Sequence, residues 1–436
     1  MRRDGKLVFV DLFAGCGGLS LGLEDAGFHP ILFSELNRSA AETYLANRPG
    51  LTNRWVKDVH DLTKHEIRSK WWPRWKADGI EEGEVDLVCG GPPCQGYSGI
   101  GHRRSYKVEK CDVPSNHLYK KMIDVIKIVK PKMFLFENVK GITFGRWTET
   151  GKKGEIWKDV QASFRKIKGY YVPAGIQLNS SNYGVPQRRP RVMIAGIRED
   201  LLHLFVKDPE GLADGLLPLP QEGCIAPDIR DVLGDLVDPH YLDRNATVTY
   251  PKEPKGDVQT YYRTRPGHRG IANNNVSVTE HEYSQHNQKI REKFAHMLAN
   301  QGEIPAEMQT KKFAQRVLPP RWNGQGPTIT VTSLPDDFVH YEQPRIPTVR
   351  EWARLQTFPD WYQFTGPRTT GGSRRAGIPT EGIWDREVPK YTQIGNAVPV
   401  KLAYEIGKHL AKILQAETTR RVERKTTAKQ TKLALV

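Results

Sequence analysis

Cysteine is scarce: five in 436 residues (Cys16, Cys89, Cys94, Cys111 and Cys224), with no two in a Cys-x-x-Cys pair. An odd set without that spacing argues against a disulfide framework and against a structural zinc site. Long apolar runs are missing too, and none approaches the roughly 18 residues needed to span a membrane. Met1-Arg2-Arg3-Asp4 leads straight into a strand-like segment with no signal-peptide pattern. A cytoplasmic, reducing setting is expected, in which a thiol can be chemically active. Acidic residues are the minority: 50 Asp and Glu face 65 Lys and Arg, a formal net charge of +15. Such an excess fits a phosphate-rich partner. With 38% hydrophobic and 26% charged residues the chain reads as globular, long enough for about two or three domains.

The N-terminal half alternates short apolar runs with helical patterns, the signature of a mostly parallel sheet with crossover helices. Strands are expected at Leu7–Phe13, Pro30–Glu35, Val85–Cys89, Met133–Glu137 and Val192–Ile197, and helices at Leu19–Ala26, Ser39–Asn47 and Leu118–Lys130. A late helix over 401–414 puts Leu402, Ile406, Leu410 and Ile413 on one face and is expected to return to that sheet. Residues 199–344 are rich in Pro, Gly and Asn, with sustained helical periodicity only at Asn287–Leu298, and read as a smaller, irregular insert. The resulting division is 1–198, 199–344, 345–415 and a basic tail, 416–436. Gly366–Gly382 reads as an exposed loop.

The first strand runs into Asp11-Leu12-Phe13-Ala14-Gly15-Cys16-Gly17-Gly18. Glycines after a parallel strand permit a tight turn and close approach of a ligand. Glu35, ending the second strand about 20 residues on, can accept the hydroxyls of a ribose. Asp58 follows in a position suited to an adenine amino group. This set suits an adenosine-containing cofactor without choosing between NAD and S-adenosylmethionine, and Ser20 departs from the dinucleotide glycine pattern.

Gly90-Gly91-Pro92-Pro93-Cys94-Gln95-Gly96 follows the strand at Val85–Cys89. Two prolines restrict the loop, so the Cys94 thiol is presented with little freedom. Glu137, at the end of an apolar strand, can be partly desolvated and so donate a proton. Arg189 and Arg191 of Gln187-Arg188-Arg189-Pro190-Arg191 alternate onto one face if extended.

In this order the segments resemble the C5-cytosine DNA methyltransferase family. Asp11–Gly18 is similar to its first cofactor motif, Gly91–Ser98 to its Pro-Cys-Gln nucleophile loop, Glu137-Asn138-Val139 to its Glu-Asn-Val motif and Gln187–Arg191 to its Gln-x-Arg-x-Arg motif. Arg345–Pro359 resembles the segment that orients the recognition domain, and Gln393–Pro399 the late motif that returns to the cofactor pocket. Asn116-His117-Leu118 fits the family's fifth motif only loosely. The resemblance implies a Rossmann-like S-adenosylmethionine-dependent methyltransferase fold, α/β with a mostly parallel, helix-flanked sheet, carrying residues 199–344 as a target-recognition domain.

It also implies roles. Cys94 would add to C6 of a flipped cytosine, Glu137 would protonate N3, and Arg191 and Arg189 would hold the base. Cofactor contacts would fall to Phe13, Gly15, Cys16, Gly17, Gly18, Glu35, Leu36, Asp58, Val59, Pro93, Asn396 and Val398. The methyl donor would be S-adenosyl-L-methionine, with no metal. The partner would be double-stranded DNA, with a cognate restriction endonuclease or other defence proteins alongside, no membrane, and the chain a monomer. Arg263, Arg316, Arg321 and Asn273-Asn274-Asn275 are of types that contact bases or phosphates, Arg368, Arg374 and Arg375 could add DNA contacts, and His281 and His286 read as surface or DNA-facing. A tRNA cytosine methyltransferase is the nearer rival but would carry Cys-Phe-Thr, absent here. A non-catalytic DNA-binding homologue is opposed by the intact Cys94, Glu137, Arg189 and Arg191.

Overall fold

The computed structural model describes residues 6–93, 110–202, 215–220, 223–264, 277–309, 315–324, 326–329, 331, 334–370 and 387–415. Cys94, Asn273–Asn275, Arg374, Arg375 and the tail lie outside the described residues.

Eight strands form one sheet: β1 (Leu7–Leu12), β2 (Phe28–Ser34), β3 (Trp55–Val56), β4 (Leu87–Gly90), β5 (Met133–Val139), β6 (Tyr170–Tyr171), β7 (Ile176–Asn179) and β8 (Pro190–Arg198). Their order is β3-β2-β1-β4-β5-β8-β6, with β7 also paired to β8. Strands β1 to β5 pair in parallel, whereas β8 runs antiparallel to β5, β6 and β7. The mostly parallel sheet is as expected, and the antiparallel edge is what the sequence pattern did not indicate.

The near-continuous apolar runs have a physical reason, since a parallel sheet is covered on both faces. Side-chain alternation sends Val8, Val10 and Leu12 into one core and Leu7 and Phe9 into the other. Phe134 and Phe136 join the first, Met133 and Leu135 the second. The helix over 400–415 closes the second core through Leu402, Ile406, Leu410 and Ile413, as its spacing predicts. Close fit is built in at α1 (Gly18–Asp25), where a Cβ on Gly22 would run into the Val400 carbonyl oxygen.

A third core joins Ile229, Val232, Leu233 and Tyr262 to Trp352, Leu355 and Tyr362, and to Cys16 and Leu21 beneath the first turn of the sheet. Part of the insert therefore shares a core with the segment after it. Two short helices within the insert, Ile229–Leu233 and Gly256–Arg263, were not legible as periodic runs, because each is too brief to show a repeat. A two-stranded parallel pair, β9 (Arg316–Val317) and β10 (Phe338–Val339), completes it.

Candidate active site

The carboxyl ends of β1, β2, β4 and β5 deliver Gly15, Glu35, Gly91 and Glu137, and β1 lies where the strand order reverses. That edge is where sheets of this kind bind ligands. After β1 the backbone is unusual: Phe13, Gly15 and Gly17 have φ of 60°, 56° and 85°. A Cβ on Gly15 would meet nothing within 4 Å, so this glycine faces open space. Gly17 and Gly18 differ, because Cβ atoms there would come within 2.7 Å of the Tyr362 hydroxyl and 2.5 Å of the Val398 carbonyl. Their smallness serves packing.

Glu35 accepts from the Gly15 amide (2.8 Å) and from the Asn37 amide (2.8 Å). Burial raises its carboxyl above the ordinary range while these amides pull it back. Leu36 beside it is 62% exposed, Phe13 is half-buried and Asn396 exposed. Asp58, also half-buried, caps the next turn and is paired with His60 (2.8 Å); partial burial lifts its pKa, and the His60 contacts more than reverse this. Val59 and Val398 are buried. The Cys16 side chain turns inward, its thiol donating to the Gln393 carbonyl (3.4 Å), and burial pushes that thiol up to about 12. Only its backbone faces the loop.

Ser20, the departure from the dinucleotide pattern, donates to Asp11 (2.5 Å) and meets the Tyr44 hydroxyl (2.8 Å). Burial lifts the Asp11 carboxyl to about 7 against the Ser20 hydrogen bond. A carboxyl raised on folding stabilises the fold fully below its ordinary pKa of 3.8, and that contribution is lost as pH rises through about 7. Asp11→Asn, which keeps polar contact with Ser20 but cannot ionise, is expected to flatten the decline of Tm across that window. An unchanged slope would show that Asp11 is not the titrating group.

Glu137 is buried at the end of β5. Arg191 on β8 meets it at 2.7 Å, Nε to Oε1, and a Cβ on Gly91 would lie 2.7 Å from its Oε2. The carboxylate thus sits directly against the start of the Gly-Pro-Pro-Cys loop, three residues before Cys94. Burial raises the Glu137 carboxyl, while Arg191 and then Arg189 draw it down. Asn138 donates to the Pro92 carbonyl (3.1 Å) and fixes the same loop, a role the sequence reading missed. Pro93 is exposed.

The two arginines separate. Arg191 pairs with Glu137, whereas the Arg189 guanidinium donates to the carbonyls of Ile329 (2.5 Å) and Gly395. Extended alternation carried them to the same end of the strand but not to the same task. Gln187 adds a second tie between the strand and the segments around it, donating to the Leu355 carbonyl (2.8 Å) and accepting from the Ile329 amide (3.2 Å).

Two expected surface contacts, those of His281 and Arg263, are corrected. His281 is buried, bonded to Thr348 (2.9 Å) and the Leu236 carbonyl (2.9 Å), and burial lowers its pKa to about 4. Arg263 is buried against Asp235 (2.6 Å). Arg368 donates to the Ser284 hydroxyl (2.6 Å). His281 reaches Thr348 of the following segment and Arg263 shares Asp235 with Arg354, and sequence alone does not distinguish such buried polar residues from ones facing solvent. Arg316 and Arg321 are exposed. Among the described residues no group of three or more His, Cys, Asp or Glu could hold a metal ion, and no helix is long and apolar enough to cross a membrane.

Residues 7–412 match the C-5 cytosine-specific DNA methylase family. The chain is 29% identical over 418 residues to the Type II methyltransferase M.DdeI of Desulfomicrobium norvegicum, covering 92% of this chain and 88% of that one. It is 27% identical to the Type II methyltransferase M1.HphI of Haemophilus parahaemolyticus, covering 94% and 87%. A crystal structure of an E. coli prophage protein, described as a DNA modification methyltransferase, superposes with a TM-score of 0.63 at 26% identity, over 94% of this chain and 99% of that one. With a mostly parallel sheet, a glycine turn after its first strand and a Glu-Asn-Val edge beside a Gly-Pro-Pro-Cys loop, the chain belongs to the C-5 cytosine-specific DNA methylase family.

Proposed function

We propose that the chain methylates C5 of a cytosine flipped out of duplex DNA, with Cys94 as nucleophile and S-adenosyl-L-methionine as donor. The observation that carries this reading is the Glu137 carboxylate, buried, paired with Arg191 and pressed against Gly91 at the mouth of the cysteine loop.

C5 of cytosine is a weak nucleophile. Addition of the Cys94 thiolate to C6 makes the ring enamine-like, with electron density at C5. Glu137, whose pKa burial raises while Arg191 draws it down, protonates N3 as negative charge develops there. Arg191 keeps that carboxyl oriented, and Arg189 secures the strand from beneath. When bound, the donor supplies an electrophilic methyl group on a sulfonium. A base takes the C5 proton, the C6–S bond breaks with release of the thiolate, and N3 returns its proton to Glu137, which restores the aromatic ring and frees the enzyme. Flipping costs a few kcal/mol, and cationic contacts to phosphates help hold the distorted duplex.

The residues present fit an adenosyl donor: open space beside Gly15, a carboxylate at Glu35, and Leu36 and Asn396 exposed around them. The relatives named as Type II methyltransferases favour a modification role beside a cognate restriction endonuclease.

The test is incubation with duplex DNA and methyl-labelled S-adenosylmethionine. Label on cytosine C5 is expected, and bisulfite sequencing of DNA from expressing cells would give the target sequence. Label confined to adenine, or to tRNA, would reject the assignment.

A further inference from the structure

The turn after β1 holds three residues at positive φ, one of them Phe13, and a strained turn persists only when its surroundings over-determine it. The surroundings are specific. The Tyr362 hydroxyl donates to the Cys16 carbonyl (2.5 Å) and accepts from Arg48 (2.9 Å), which also reaches the Gly17 carbonyl (3.4 Å). Arg48 is itself held by Glu24 (2.5 Å) and lies over the Tyr44 ring, 4.2 Å from its centroid. Tyr362 comes from the segment after the helix Val349–Leu355, and its own carbonyl accepts from Arg350 (3.1 Å), which also binds Thr279 of the insert (2.7 Å).

We infer that Tyr362, backed by Arg48, is a positioning residue for the cofactor turn: its hydroxyl fixes the Cys16–Gly17 peptides and so the orientation of Gly15 and the start of α1. The inference rests on the reading of this edge as the adenosyl site. Tyr362 is fully buried and its hydroxyl is engaged by Cys16 and Arg48, so it acts on cofactor affinity and not on the chemical step. A loosened turn must be ordered by the ligand, which then binds more weakly.

The experiment measures S-adenosylhomocysteine binding by calorimetry on the full chain. Tyr362→Phe removes one hydroxyl and is expected to weaken binding about tenfold. The KM for S-adenosylmethionine should rise in parallel, with kcat at saturation nearly retained. Tyr170→Phe is the control: it deletes another buried hydroxyl bonded to a carbonyl, that of Pro131, on a strand remote from the turn. It should shift affinity less than about twofold. Arg48→Lys keeps a charge facing Glu24 but loses the forked contacts, and carries the same expectation as Tyr362→Phe should that variant fail to fold. Wild-type affinity in Tyr362→Phe, or equal losses in both tyrosine variants, would overturn the positioning role. A wild-type chain that does not bind S-adenosylhomocysteine would instead overturn the reading of the site itself.

Discussion

Cys94→Ser is expected to lower methyl transfer by roughly 10⁴-fold or more, while S-adenosylhomocysteine affinity stays within about twofold of wild type. A serine hydroxyl is far less acidic than a thiol and far less nucleophilic toward C6. Glu137 assists the developing ring charge but cannot replace the attacking atom. The turn after β1 is braced by Tyr362 and Arg48, which the substitution leaves in place, so binding and turnover are expected to separate. A duplex carrying 5-fluorocytosine extends the result: C5 then bears fluorine, which cannot leave as a proton does, so the wild-type protein stays covalently attached and migrates with the DNA. Retained turnover in Cys94→Ser, or recovery of only free wild-type protein from the fluorinated duplex, would remove the covalent mechanism.

Arg354→Met is expected to destabilise the fold by about 3–5 kcal/mol. Arg354 is fully buried, paired with Asp235 (2.5 Å) and Asp360 (2.5 Å), and donates to the Val232 carbonyl (2.7 Å). Methionine fills much of the volume but leaves two carboxylates with less compensation. Asp235 keeps Arg263, while Asp360 keeps Tyr250 (2.7 Å) and a distant Arg350 (3.9 Å). Burial raises the Asp360 pKa, but Arg354 and the other contacts bring it below its ordinary value. Its stabilising contribution is therefore present at neutral pH and lost as pH falls through the folded pKa. The loss in Arg354→Met should accordingly be largest near neutrality and shrink in acid. Urea unfolding at several pH values measures this, and a loss below about 1 kcal/mol at neutral pH would show that the pair is compensated elsewhere.

Both results depend on residues that the sequence treats very differently. Cys94, Glu137 and Glu35 announce themselves because each closes an apolar strand or sits in a proline loop, and chemistry at the carboxyl edge of a parallel sheet needs such residues within a few positions of the strand end. Arg354 and Asp235 are 119 residues apart, and neither stands in a pattern that names its partner. The same blindness misplaced His281 and Arg263, whose charge and polarity suggested DNA.

Periodicity and residue order by themselves determined the parallel half of the sheet, the glycine turn after its first strand, the strand ending near Glu137 and the return of the helix over 400–415, because each is a local relation between side-chain alternation and burial. Only the tertiary structure decided that β8 runs antiparallel, that Arg191 and Arg189 part, that Ser20 serves Asp11, and that Tyr362 braces a turn 346 residues earlier in the chain. Those outcomes turn on which buried donor finds which acceptor, and the chain's fold, not its order, brings such pairs together.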